Sequence, residues 1–99
     1  MAKIALPPDL ATMIAACEGA YERATQEGYG ESPNVIAAVS KLKSAWRNLS
    51  IESSNLMMAK GFFAVEFASM RFERACRVSR EACIELHAAI EEAAAEHRL

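Results

Sequence analysis

Residues 65–90, VEFASMRFERACRVSREACIELHAAI, decide the fold, because apolar and small residues recur there every three and four positions. Three heptad positions carry the pattern: a (Val65, Phe72, Ser79, Leu86, Ala93), d (Ala68, Ala75, Ala82, Ala89) and e (Ser69, Cys76, Cys83, Ile90). Such a repeat is typical of a helix that packs a narrow face of small residues closely against its neighbours. We therefore expect one long helix in the second half of the chain.

Two shorter helices are predicted before it, because the same periodicity recurs on either side of a glycine-rich stretch. The first starts in LPPDL and ends near Gly28, and the second starts at Pro33. The apolar stripe of the second skips from Leu49 to Ile51, which favours a turn there. The predicted helices are 8–28, 33–49 and 52–97, with Gly61 as the point where the third would break. The expected fold is all-α, a three- or four-helix bundle in a single domain, 1–99.

Composition narrows the class of protein. Ninety-nine residues suffice for one modest core. The apolar start is too short for a signal peptide, and residues 56–70 contain Lys60 and Glu66 and are shorter than the ~20 residues of a membrane span. Three scattered cysteines do not suggest a disulfide framework. We expect a cytoplasmic protein that does not enter membranes.

Charge is arranged in blocks along the chain. Residues 1–32 carry five acids and two bases, residues 33–80 eight bases and three acids, and residues 81–99 five acids and one base. In an antiparallel bundle these blocks lie side by side, so we expect them to pair with one another.

The two cysteines of the long helix do not form a metal site by themselves. Cys76 and Cys83 are seven residues apart, which is ~10 Å along a helix and too far for one zinc ion. Cys83, His87 and Glu91 could share a metal only with ligands from elsewhere in the chain. We expect both cysteines to lie in the core, and we predict no metal and no cofactor.

Four arginines follow one another at intervals of three: Arg71, Arg74, Arg77 and Arg80. Each step of three residues moves 60° backward around a helix, so the four spread over half its circumference. Glu73 and Glu81 lie four residues from Arg77, a spacing at which they can pair with it within the helix. The four arginines still leave one alternative function open, a nucleic-acid-associated helical oligomer.

A second set of apolar residues lies away from the seam, at heptad positions f and c: Leu56, Phe63, Phe67 and Met70. Met58, Phe62 and Val65 continue the seam itself, so residues 56–70 are apolar on two sides. Beyond residue 70, positions c and f become mainly polar or alanine, except at Ile84. A helix that is apolar on two sides is either sandwiched inside its own fold or presents one side to a partner.

The functional expectation is therefore binding. No nucleophile elbow, no H-E-x-x-H and no carboxylate pair on an apolar face occurs, so we expect a protein that is not an enzyme. The prediction is a protein–protein interaction module that acts through an apolar helix face and self-associates, with a dimer as the first guess. By analogy of size and class, such modules serve as adaptors, chaperones or inhibitors of larger complexes, including those encoded by phages or mobile elements.

Overall fold

The computed structural model describes residues 6–98, which form three helices. The helices are α1 (Pro8–Glu27), α2 (Pro33–Met58) and α3 (Phe62–His97). The predicted all-α fold with a long C-terminal helix is confirmed, and the bundle has three helices. With 36 residues, α3 is ~54 Å long and is the element on which the other two pack.

The helix ends follow the sequence signals. Pro8 and Pro33 occupy the first turns of α1 and α2, where a missing N–H removes no intrahelical bond. Gly28 ends α1 with a φ of 93°, and the amides of Tyr29 and Gly30 donate back to the Ala24 carbonyl. Gly61, with a φ of 90°, separates α2 from α3.

The predicted boundary between the second and third helices is wrong. α2 does not stop at residue 49 but continues to Met58, and the helix predicted from residue 52 begins only at Phe62. The inward face of α2 proceeds through Leu49, Glu52 and Leu56, with Glu52 half-buried and Ile51 on the exposed side. The polar Glu52 interrupts the apolar stripe without interrupting the helix.

The two shorter helices attach to α3 in opposite directions. α2 is antiparallel to α3: Lys41 Nζ lies 2.8 Å from Glu85 Oε2 at one end, and Glu52 Oε2 lies 3.3 Å from Arg71 Nε at the other. α1 is parallel to α3, because Asp9 binds Arg80 at its start. Within the described residues the backbones of α1 and α2 stay more than 8 Å apart, and a cleft lies between the two helices. The molecule is elongated, 57 × 21 × 17 Å.

Tyr29, which follows α1, lies beside the C-terminal end of α3. The ring centroid of Tyr29 lies 5.6 Å from that of His97, the last residue of α3. α1 therefore covers α3 only from about Arg80 to its C-terminal end. Among the helices of residues 6–98, only α2 lies beside the N-terminal third of α3.

The core confirms the predicted heptad face of α3. Phe72, Leu86 and Ile90 are buried with the alanines and cysteines of positions d and e, against Leu10 and Ile14 of α1 and Val35 and Leu49 of α2. The two cysteines of α3 are buried and free, as predicted, and so is Cys17. Two ion pairs also join the predicted charge blocks, Asp9 with Arg80 and Lys41 with Glu85.

Within residues 6–98, no helix has both the length and the apolar character that crossing a membrane requires.

Two buried side-chain oxygens of the described residues have no hydrogen-bond partner, Glu52 Oε2 and Ser79 Oγ, and the first of them lies 3.3 Å from Arg71. Ser79 has no exposed surface, and its hydroxyl has no hydrogen-bond partner in the described structure. Because an orphan buried hydroxyl destabilises a fold and alanine favours helix, we expect Ser79→Ala to raise the free energy of unfolding by about 1 kcal/mol. Urea titration followed by circular dichroism measures the change.

The control for this prediction is Ser54→Ala, which makes the same change at an exposed position of α2. Ser54→Ala reports the gain in helix propensity alone. If Ser79→Ala stabilised the protein no more than Ser54→Ala does, the unsatisfied hydroxyl would carry no penalty.

Candidate functional site

The N-terminal third of α3 concentrates the exposed apolar side chains. Beyond the reach of α1, Met58 is 78% exposed, Phe62 71%, Phe63 73%, Phe67 59% and Met70 64%. Monomeric domains seldom leave several large apolar residues uncovered in one region. This end of the molecule is therefore the strongest candidate for a binding site.

Three of the four predicted binding residues come together on one face. Phe63, Phe67 and Met70 occupy adjacent f and c positions of α3, on the side opposite its buried face. Phe67 and Met70 also line a shallow depression with Arg74 and Arg77. We call these five residues the outer face of α3. It is apolar at its N-terminal end and cationic after that.

Leu56, the fourth predicted residue, lies elsewhere. It is half-buried and packs against the core from α2. Leu56 falls at heptad position f only if one continuous helix runs through residues 59–61, and the helix is interrupted there. Because the rotational phase is not preserved across that break, Leu56 does not share a side with Phe63.

The same break explains a second departure from the predicted pattern. Met58 and Phe62 were expected to continue the buried seam, yet both are exposed, and Val65 is 41% exposed. The Phe62 ring meets that of Phe63 edge to face, with centroids 5.4 Å apart. With no α1 over this end of α3, the seam residues have too few neighbours to bury them.

The four arginines divide into two classes. Arg71 Nε lies 3.3 Å from Glu52 Oε2. Arg80 forms a bidentate pair with Asp9, in which Nε donates to Oδ2 at 2.7 Å and Nη2 donates to Oδ1 at 3.2 Å. The Arg80 hydrogen bond lowers the pKa of Asp9 and raises that of Arg80. Arg74 and Arg77 form no ion pair with any described residue. Two of the four are thus engaged in holding the helices together.

Within α3, Arg77 forms no ion pair with Glu73 or Glu81. The ion pairs that α3 forms with lysine, arginine or aspartate reach across to α1 or α2, as Arg80 does to Asp9 and Glu85 to Lys41. Arg77 lies on the face of α3 that no other helix covers, so no carboxylate of α1 or α2 is within reach. Its charge stays available to a ligand or partner.

The cysteines have structural surroundings. The Cys17 thiol donates to the Cys83 carbonyl oxygen at 3.3 Å, and burial beside Cys17 raises the pKa of Cys83 to about 12. His87 and Glu91 lie on the exposed side, with Nε2 and Oε1 3.8 Å apart, so they do not converge with the buried Cys83. Among the described residues no three His, Cys, Asp or Glu side chains are grouped as metal ligands.

An apolar cleft of about 180 Å³ separates α1 from α2 above Leu86. Ile14, Tyr21, Leu42 and Trp46 line it, and Glu18 and Lys43 are its charged residues. It follows from the gap between the two helices and lies apart from the outer face of α3.

No family model, no curated protein and no solved structure matches this chain. The function is therefore inferred from the exposed residues of this chain alone.

Proposed function

We propose that the protein is a non-enzymatic binding module that captures another protein through the outer face of α3. The observation that carries the proposal is the exposure of Phe63, Phe67 and Met70 side by side on α3, whose other side packs against α2. Aromatic side chains and methionine on a regular helix give a partner a large apolar contact at small entropic cost. Arg74 and Arg77 at the end of this surface favour a partner with acidic residues beside its apolar ones.

The arrangement suits recognition by a helix or a groove. Phe63, Phe67, Met70 and Arg74 follow one another at intervals of four, three and four, the spacing of anchors in helix-mediated binding. A module of this kind would act as an adaptor, a chaperone or an inhibitor of a larger complex. The apolar anchors would supply most of the affinity, and the two cations would set the orientation.

The alternative, a nucleic-acid-associated oligomer, has less support. Of its four arginines, Arg71 and Arg80 are already paired with Glu52 and Asp9. The two that remain share their surface with exposed Phe67 and Met70, which contribute nothing to phosphate binding. A protein with a net charge of −2 also lacks the general attraction to a polyanion.

The test uses Phe67→Glu. A protein retained from extracts by the immobilised wild-type chain is purified and titrated against both chains by calorimetry. Because a carboxylate at position 67 replaces an apolar anchor and faces the partner's acidic residues, we expect binding at least 100-fold weaker. Ile36→Glu makes a similar change at an exposed apolar position of α2, 53% exposed, and should bind like the wild type.

Equal losses in the two variants would contradict the proposal, since they would point to a general effect of added charge. The nucleic-acid alternative predicts a different result. Arg74→Glu with Arg77→Glu would abolish binding, Phe67→Glu would not, and the wild-type affinity would fall steeply with salt.

A further inference from the structure

The outer face of α3 is the beginning of a stripe that runs the length of the helix. Heptad positions f and c continue past Arg77, and all ten of their residues between 63 and 95 are exposed: Phe63, Phe67, Met70, Arg74, Arg77, Glu81, Ile84, Ala88, Glu91 and Ala95. The stripe spans ~48 Å. α2 packs on the opposite side of α3, and α1 borders the C-terminal half of the stripe, where Met13 and Ala16 lie beside Ile84, Ala88 and Glu91. All ten side chains of the stripe remain exposed with α1 in place, so among the described residues it is open to another long helix.

The side chains of the stripe are complementary to those of a second copy that runs in the opposite direction. Large apolar residues come first, then two cations, then Glu81 and a series in which alanine alternates with Ile84 and Glu91. A repeat of 3.5 residues on an exposed helix favours a coiled pairing with a second helix. A parallel pair would set each arginine beside its own copy, whereas an antiparallel pair can set Arg77 beside Glu81 of the partner subunit.

We infer that the free protein forms a two-fold dimer in which the α3 helices of two copies pair antiparallel through this stripe, centred beside residue 79. The inference rests on the proposed function, because it names what covers the same face before a target does. In this register Arg77 faces Glu81 of the partner subunit, and the symmetry makes that contact twice. Phe63 and Met70 face the partner's Ala95 and the partner's Ala88, so that a large side chain meets a small one.

Neighbouring registers fit less well. Sliding the helices by one heptad toward their N-terminal ends places Arg74 opposite the partner's Arg77. Sliding them the other way leaves Phe63 beyond the end of the partner's α3. The central register is the one that pairs opposite charges and covers all three large apolar residues. The Arg80 side chains flank the axis, where Asp9 already balances each charge.

The area of the stripe sets the strength of the dimer. A strip ~48 Å long and about 10 Å wide amounts to roughly 500 Å² per subunit. This is less than the ~800 Å² per partner of standard stable interfaces. We therefore expect dissociation in the micromolar range, so that a tighter target can displace the second copy from Phe67 and Met70.

Sedimentation equilibrium of the purified full chain tests the register by charge reversal. The wild type should be a dimer at about 100 µM and mostly a monomer at about 1 µM. Arg77→Glu and Glu81→Arg each place like charges in both central contacts and should weaken association at least tenfold. The double variant Arg77→Glu/Glu81→Arg restores both pairs and should return to the wild-type constant.

Cross-linking locates the axis independently. Val78, 38% exposed, flanks the stripe beside the proposed axis. Val78→Cys should therefore be joined to its own copy by a short bis-maleimide reagent. Glu73→Cys would lie ~18 Å from its copy along the helix and should remain uncoupled. The three native cysteines are buried and do not compete for the reagent.

A wild type that stays monomeric at about 100 µM, single charge reversals without effect, or coupling of Glu73→Cys in place of Val78→Cys would each overturn the inference. None of these results touches capture of a foreign protein, which is measured separately with Phe67→Glu. Conversely, a dimer with the expected register whose monomeric Arg77→Glu form and wild type both bind no other protein would uphold the inference and refute the proposed function.

Discussion

Replacing Leu86 with alanine is expected to lower the free energy of unfolding by about 3 kcal/mol. Leu86 is 2% exposed and forms the floor of the cleft between α1 and α2. The backbones of those two helices stay apart, and Leu86 is the α3 side chain that lines the cleft with residues of both. Its truncation removes apolar contacts and enlarges a gap that already exists. At about 4–8 °C per kcal/mol, the melting temperature should fall by roughly 15 °C.

Thermal unfolding followed by circular dichroism measures this loss, at one protein concentration for all variants because self-association would add stability. Ile51→Ala is the control, since Ile51 is 52% exposed on α2 and lies outside the proposed dimer stripe. It should change the free energy of unfolding by less than about 0.5 kcal/mol. Comparable losses in the two variants would show that Leu86 is no more important to the core than a surface residue.

Enlarging the alanine column is expected to be as harmful as truncating Leu86. Ala82 is 1% exposed, and Ala68 and Ala75 of the same column are equally enclosed. The column lies on the side of α3 that carries Arg71 and Glu85, both paired with α2. Ala82→Leu adds three carbons at a fully buried position on the side of α3 that faces α2, so α2 must move away. We expect a loss of about 3 kcal/mol, at the upper end of overpacking effects.

Urea unfolding measures this change, with Ala64→Leu as the control. Ala64 lies in the exposed first turn of α3, so leucine there meets no neighbouring helix. The control should stay within about 0.5 kcal/mol of the wild type. A stable Ala82→Leu variant would mean that α2 and α3 are spaced more widely than their small residues indicate.

The sequence correctly predicted the parts of the fold that depend on local periodicity alone. The heptad repeat of α3 identified its buried side chains, including both cysteines and the Ser79 position, because burial of one face is what creates such a repeat. The boundary of α2 was missed because Glu52, a charged residue, occupies an inward position and is balanced by Arg71 from another helix. The periodicity of one helix does not show an ion-pair partner that is distant in the sequence.

The candidate site was predicted only in part, for a related reason. The apolar character of Phe63, Phe67 and Met70 was evident from their spacing, but whether another helix covered them depended on where α1 lies. That placement follows from contacts such as Asp9 with Arg80, which join residues far apart in the chain. Leu56 was grouped with them because periodicity alone does not show how the chain turns at Gly61.

α1 packs on only the C-terminal part of α3. The two ends of α3 therefore differ in how far their side chains can change without harming the fold. Residues near Cys83 and Leu86 are enclosed by three helices, so most changes there endanger folding. Residues 62–74 on the exposed side contribute little to the core and can be exchanged without that penalty. Related chains can therefore diverge rapidly at this end, acquiring new specificities while keeping one scaffold.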